Sequence, residues 1–115
     1  MKPKLPALSE RDIQGHIIDY LRLKQYYVQR LNAGEYSLGE GKGYVKGVEA
    51  GTPDIMAFKP YPSQAPGRVV LYFIEVKKPG EEPNEKQQAK MQELASYGAI
   101  CLVATCLEDV QKAGL

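Results

Sequence analysis

Two strand-like runs, each ending on a charge that apolar surroundings make costly, constrain this chain more than any other feature. Gly51-Thr52-Pro53-Asp54 opens the first, with Asp54 leading into Ile55-Met56-Ala57-Phe58. The second is Val69-Val70-Leu71-Tyr72-Phe73-Ile74-Glu75-Val76-Lys77. Side chains on a strand alternate between its faces, so Glu75 and Lys77 point one way and Lys78 the other. Each charged residue has an ordinary explanation when taken alone. Asp54, behind a proline at a strand entrance, serves equally well as a turn cap. Glu75 is also a strand-end charge, and Lys77 with Lys78 a basic pair guarding a sheet edge. Their joint order and spacing is what those explanations leave over.

The rest of the chain supplies a frame for the two runs. The spacing predicts a helix over 9–25. Ser9 is its N-cap and Asp12 completes a capping-box spacing, with Leu8 and Ile13 placed as a hydrophobic staple. Ile13, Ile17 and Leu21 form its apolar stripe, with Ile18 at the edge. Residues 27–32 alternate as a strand. The glycine-rich stretch 33–51 is either a long loop or an irregular hairpin. Strands follow at 54–58 and 69–77, joined by a Pro-rich connection over 60–67 that makes them an antiparallel pair. A helix over 84–97 ends at Gly98 in a C′ position. The continuous apolar run 99–105 predicts a strand buried on both faces, parallel to a sheet neighbour. A short helix at 107–112 finishes the chain. The expected fold is α/β, a mixed sheet flanked by helices in the order α-β-β-β-α-β-α.

With 115 residues and 43% apolar content, the chain suits one domain over 9–115 behind a flexible segment 1–8. A domain of this length buries roughly two-thirds of its unfolded surface, enough for a core without staples. Cys101 and Cys106 form no disulfide framework, and Cys101 reads as a small core hydrophobe. A reducing, cytoplasmic setting is the expectation, with no membrane span. The formal net charge of +1 argues against a basic tail but leaves local basic patches open.

Two helix positions carry polar groups on apolar faces. Glu10 falls within the arc of Ile13, Ile17 and Leu21, where it either caps the helix or points into a site. Gln87 shares a face with Met91 and Leu94 and needs a hydrogen-bond partner, a neighbouring loop being the simplest. Gly39-Glu40-Gly41-Lys42-Gly43 lacks the Lys-Ser/Thr pair of a phosphate-binding P-loop. His16 reads as structural. Tyr26, Tyr27, Tyr36 and Tyr44, interleaved with Arg30, Lys42 and Lys46, are candidates for nucleic-acid contact.

Two carboxylates and a lysine at the ends of apolar strands call for compensation. A divalent cation with a phosphodiester substrate supplies it, because hard cations take oxygen ligands. The pattern resembles the PD-(D/E)xK nuclease superfamily with its restriction-endonuclease-like fold, and within it the VRR-NUC branch. Ser9-Glu10-Arg11-Asp12-Ile13-Gln14 looks like the opening helix of that branch. Gly51-Thr52-Pro53-Asp54 and Glu75-Val76-Lys77 look like its two half-motifs, and Gln87 like its helix glutamine. The resemblance covers residues 9–110. It implies Mg²⁺ or Mn²⁺ held by Asp54, Glu75 and the carbonyl of Val76, with Glu10 as a further candidate ligand. It also implies Lys77 orienting or activating water, with Glu10 and Gln87 as auxiliary site residues. The implied activity is a DNA endonuclease. Stand-alone domains of this size resemble phage or bacterial enzymes selective for branched DNA such as a four-way (Holliday) junction, acting as homodimers. A nuclease of duplexes or flaps, or a non-catalytic nucleic-acid-binding module of the same fold, are the alternatives.

Overall fold

The structure is a computed structural model that describes residues 7–31, 35–37, 39–60 and 67–115, with backbone alone at 35–37 and 44–46. The N-terminal residues 1–6, most of the 60–67 connection, and the side chains of Tyr36, Tyr44 and Lys46 lie outside the described residues.

Helix α1 (Glu10–Leu23) begins as the sequence suggests. The Ser9 hydroxyl accepts from the Asp12 amide at 3.0 Å, and the Asp12 carboxylate accepts from the Ser9 amide at 3.2 Å. Ile13, Ile17, Ile18 and Leu21 are all buried. Leu8 is half exposed and lines, together with Ile13, a groove of about 450 Å³. The helix stops where Gln25 takes φ +67, a left-handed conformation that a side-chain-bearing residue adopts at a cost.

Four strands form the main sheet: β1 (Tyr27–Arg30), β4 (Ile55–Pro60), β5 (Val69–Val76) and β6 (Ile100–Ala104), in the order β1-β4-β5-β6. β4 pairs antiparallel with both β1 and β5, and β6 runs parallel to β5. Helix α2 (Glu85–Ser96) lies between β5 and β6 in the chain, and α3 (Leu107–Lys112) follows β6. The main sheet and its helices thus follow the expected order. The glycine-rich stretch resolves in favour of a hairpin: β2 (Glu35–Ser37) and β3 (Tyr44–Lys46) pair antiparallel as a separate two-stranded sheet.

Alternation decides what each face carries. Ile55 and Ala57 on β4, Ile74 and Val76 on β5, and Ala104 on β6 join Ile13, Ile17, Leu21, Val110 and Leu115 in one core. The residues between them, Met56, Phe73 and Glu75, belong to the opposite face. One expectation fails here. β6 is an edge strand, and Ile100 and Val103 are 44% and 41% exposed, so the strand is not buried on both faces. An apolar run reports the wish to be covered, and within one copy of this chain β6 has a strand neighbour on one side only. Tyr26 also departs from its reading as a nucleic-acid contact. It is buried, with its ring edge-on to Tyr72 at 6.0 Å, because it follows the helix directly into the core.

Candidate active site

The register of the central pair sets the site. Ile55 lies opposite Ile74, so one residue further along the ladder Asp54 falls opposite Glu75, on the same face. Like charges directly across a strand pair are unfavourable, and Glu75 in this pair is also shielded from water. Asp54 is held in place by one carboxylate oxygen, which accepts from the Val76 amide at 2.7 Å. Its own carbonyl accepts from the Leu31 amide at 2.7 Å, tying the strand entrance to β1. Glu75 is 2% exposed, and its Oε2 is buried without a hydrogen-bond donor. Burial first, and then the Asp54 charge, push the Glu75 carboxyl up to about 8. Two ionised carboxylates cannot donate to each other, and a proton shared between them or a bound cation would satisfy that oxygen.

Lys77 lies two residues beyond Glu75 on the same face, with its Nζ 4.0 Å from Glu75 Oε1. Its amide donates to the Ala104 carbonyl at 3.0 Å, which extends the parallel pairing past the end of β5. Lys78 points the other way and is exposed, as alternation requires.

The loop before Asp54 is fixed by a close approach. Gly51 has φ +90, and a Cβ there would stand 2.9 Å from the backbone oxygen of Lys86 in the first turn of α2. The exposed contact between Lys90 Nζ and Glu49, at 2.6 Å, joins the same two segments. Lys90 is thereby committed to Glu49, and to Glu93 at 3.7 Å, rather than free to face a polyanion.

Glu10 and Gln87 are placed differently. Asp12, not Glu10, serves the cap of α1. Glu10 lies within electrostatic reach of Lys77, Glu81 and Asp54; burial and then a hydrogen bond with Glu81 raise its carboxyl above the ordinary range. The carboxamide oxygen of Gln87 instead accepts from the Asn84 amide at 2.9 Å, closing the capping box of its own helix. Its first turn abuts the Gly51 loop, but that oxygen serves the helix cap. Glu81 is the site neighbour that the strand motif does not contain. The signal for it is Pro79-Gly80, a turn dipeptide that folds the following residue back towards the strand it leaves.

Among the described residues, no three His, Cys, Asp or Glu side chains already stand together as metal ligands. What the fold does offer a hard cation is a pair, Asp54 and Glu75, with one buried oxygen lacking a donor. The Val76 carbonyl belongs to the same strand end. Oxygen donors of this kind fit Mg²⁺ or Mn²⁺.

A mixed sheet that divides a Pro-Asp element and a Glu-x-Lys element between adjacent strands defines a class, the nucleases of PD-(D/E)xK type. The profile of the VRR-NUC domain family matches residues 8–106, and the chain belongs to that family. Two solved structures share its fold. One, described as a VRR_NUC domain, has a TM-score of 0.62 at 22% identity, covering 90% of each chain. The other, a VRR_NUC domain protein, has a TM-score of 0.62 at 20% identity, covering 94% of this chain and 86% of that one. A search of curated protein sequences gave no match.

Proposed function

We propose that this nuclease domain is a divalent-metal-dependent DNA endonuclease, selective for branched DNA such as a four-way junction and active as a homodimer. The observation that carries the reading is the buried Glu75 carboxylate across from Asp54, with an oxygen that no donor among the described residues reaches and Lys77 beside it. A structural carboxylate is normally paired or hydrogen-bonded, whereas an unsatisfied one beside a like charge is a common mark of a reaction site.

Each residue has a definite task on this reading. Asp54, Glu75 and the Val76 carbonyl would hold Mg²⁺ or Mn²⁺. When bound, the ion offsets the phosphodiester charge and makes a neighbouring water more acidic. The Val76 amide fixes the Asp54 carboxylate, so that its free oxygen keeps one direction. Lys77 brings a positive charge and donors, able to orient the attacking water or to stabilise charge growing on the phosphate. Glu10 approaches from α1 as an auxiliary group. Gln87 is retained as auxiliary through its helix, whose first turn braces the Gly51 loop.

Two features support assembly. From Tyr97 to Cys106 the chain carries no charged residue, although it includes the whole of edge strand β6. Sheet edges are usually guarded by charge, and this one presents Ile100, Val103 and the 87%-exposed Tyr97. A two-fold pair of sites also suits the two-fold relation of strands in a four-way junction. No described helix is long and apolar enough to cross a membrane.

The deciding experiment offers single-stranded, duplex, flap and four-way-junction DNA with Mg²⁺, Mn²⁺ or chelator. Metal-dependent cutting with preference for the junction is expected. Equal cutting of plain duplex removes the branched-DNA element. Binding without cutting under any condition favours a non-catalytic module and defeats the enzymatic reading.

A further inference from the structure

The sheet face that carries Asp54 and Glu75 continues past the site along β4. Alternation puts Met56 and Phe58 on it after Asp54, and the antiparallel register sets Gln29 beside Met56 and Tyr27 beside Phe58. Phe58 stands four residues on from Asp54, about 13 Å along the strand. Helix α1 packs on β1, β4 and β5 from the core face, while α2 packs on β6 at the other edge of the sheet. This face of β1 is therefore open among the described residues, and Tyr27 and Gln29 are both exposed on it.

The ring of Tyr27 lies on that of Phe58, with centroids 4.7 Å apart and planes 24° from parallel. Phe58 backs one face of the tyrosine ring, yet Tyr27 is still 53% exposed. Its hydroxyl donates to Gln29 Oε1 at 3.5 Å, which keeps the two side chains together. Stacking across two strands stabilises a sheet by itself. It does not account for an open aromatic ring on an edge strand, a place more often guarded by charge. Tyr27, Gln29, Met56 and Phe58 are all uncharged, so the row suits the π-face of a base and not a phosphate.

We propose that Tyr27, backed by Phe58, is a stacking platform for an unpaired nucleobase of the DNA substrate. The proposal rests on the nuclease reading above and adds the feature of branched DNA that the protein recognises. A strand lying along β4 with one phosphate at Asp54 and Glu75 carries its bases over Met56 and Phe58 within a short run of nucleotides. Inside a duplex both faces of every base are occupied by neighbours, and freeing one costs unstacking energy. A base at a branch point or in a single strand has already lost that stacking. An aromatic platform beside the carboxylates thus favours DNA that is open near the cut, without reading its sequence.

The test is fluorescence anisotropy of the whole chain in chelator, where binding is read without cleavage. The probes are a labelled oligothymidine, an abasic strand of the same length, and a linear duplex. Wild type should bind oligothymidine more tightly than the abasic strand, which offers the phosphates alone. Tyr27→Leu keeps apolar contact with Phe58 but has no π-face. It should weaken oligothymidine binding by about tenfold and leave the abasic strand and the duplex unchanged. Tyr27→Phe should keep the wild-type preference, and circular dichroism secures each variant as folded. Ultraviolet crosslinking of wild type to an iodouracil-bearing strand, mapped by mass spectrometry, needs no variant; the adduct should fall on Tyr27. Equal affinity of wild type for oligothymidine and the abasic strand overturns the proposal and leaves the nuclease reading standing. So does a Tyr27→Leu variant that keeps the base preference or loses all three probes equally. If that variant keeps the preference but turns a dimer into a monomer, the face belongs to a second copy of the chain and the proposal falls. Wild type that binds none of the probes, nor a four-way junction, sinks the DNA reading and this proposal together.

Discussion

At the scale of single residues, Glu75 sets function against stability. In the folded protein without metal its carboxyl holds a proton up to about pH 8, against an ordinary 4.5. Between those values the native state binds more protons than the unfolded chain, so stability falls as pH rises through that window. We expect the melting temperature in chelator to drop from pH 5 to pH 8, and Mg²⁺ to restore it at the upper end. Glu75→Gln should abolish cleavage yet raise the metal-free melting temperature at pH 8 by on the order of 5 °C, because a neutral group no longer faces Asp54. A variant that melts at or below wild type at pH 8 would contradict the buried repulsion. Asp54→Asn should likewise remove cleavage with the fold intact. Lys77→Ala should cost about 10²-fold or more in rate while keeping Mn²⁺ binding. Lys78→Ala, on the opposite face, should stay within a few-fold of wild type; the reverse ranking in a cleavage assay would contradict the roles given to the two lysines.

At the scale of elements, two backbone positions carry the consequences of tight turns. Gly51→Ala puts a methyl against the Lys86 carbonyl at a positive φ, so it should destabilise by about 1–3 kcal/mol and loosen the first turn of α2. Gln25→Gly relieves the opposite situation and should stabilise by about 1 kcal/mol. Urea titrations of the two variants would check both signs. The helices and the antiparallel pair were readable in advance because each rests on local chemistry: Ser9 and Asp12 cap α1, alternation places Glu75 with Lys77, and Gly98 ends α2. β6 was misjudged because an apolar run reveals hydrophobicity and not position in a sheet. Glu81 went unnoticed because its approach to Glu10 is made by a turn, across a separation that neither strand nor helix periodicity spans. Gln87 illustrates the converse: a polar residue on an apolar face suggests a site, yet its oxygen satisfies the nearest backbone amide.

At the scale of the whole molecule, a formal charge of +1 gives one copy little attraction for a polyanion, and Lys90, paired with Glu49, adds little to any local basic patch. Pairing two copies doubles the phosphate contacts, so binding should fall steeply with salt. Light scattering should give twice the mass of the chain. Val103→Lys, which charges the exposed β6 edge, should return it to a monomer without unfolding it; a dimer that survives this change uses another surface. The hydrogen bond from the Val76 amide to the Asp54 carboxylate has a separate consequence. An amide in a sheet ordinarily answers to a backbone carbonyl, whose charge never changes. This one answers to an ionisable acid, so its resonance in a nitrogen–proton correlation spectrum is an intrinsic gauge of that acid. The peak should shift upfield in the proton dimension when a cation draws charge from Asp54, while peaks of the β2–β3 hairpin stay still.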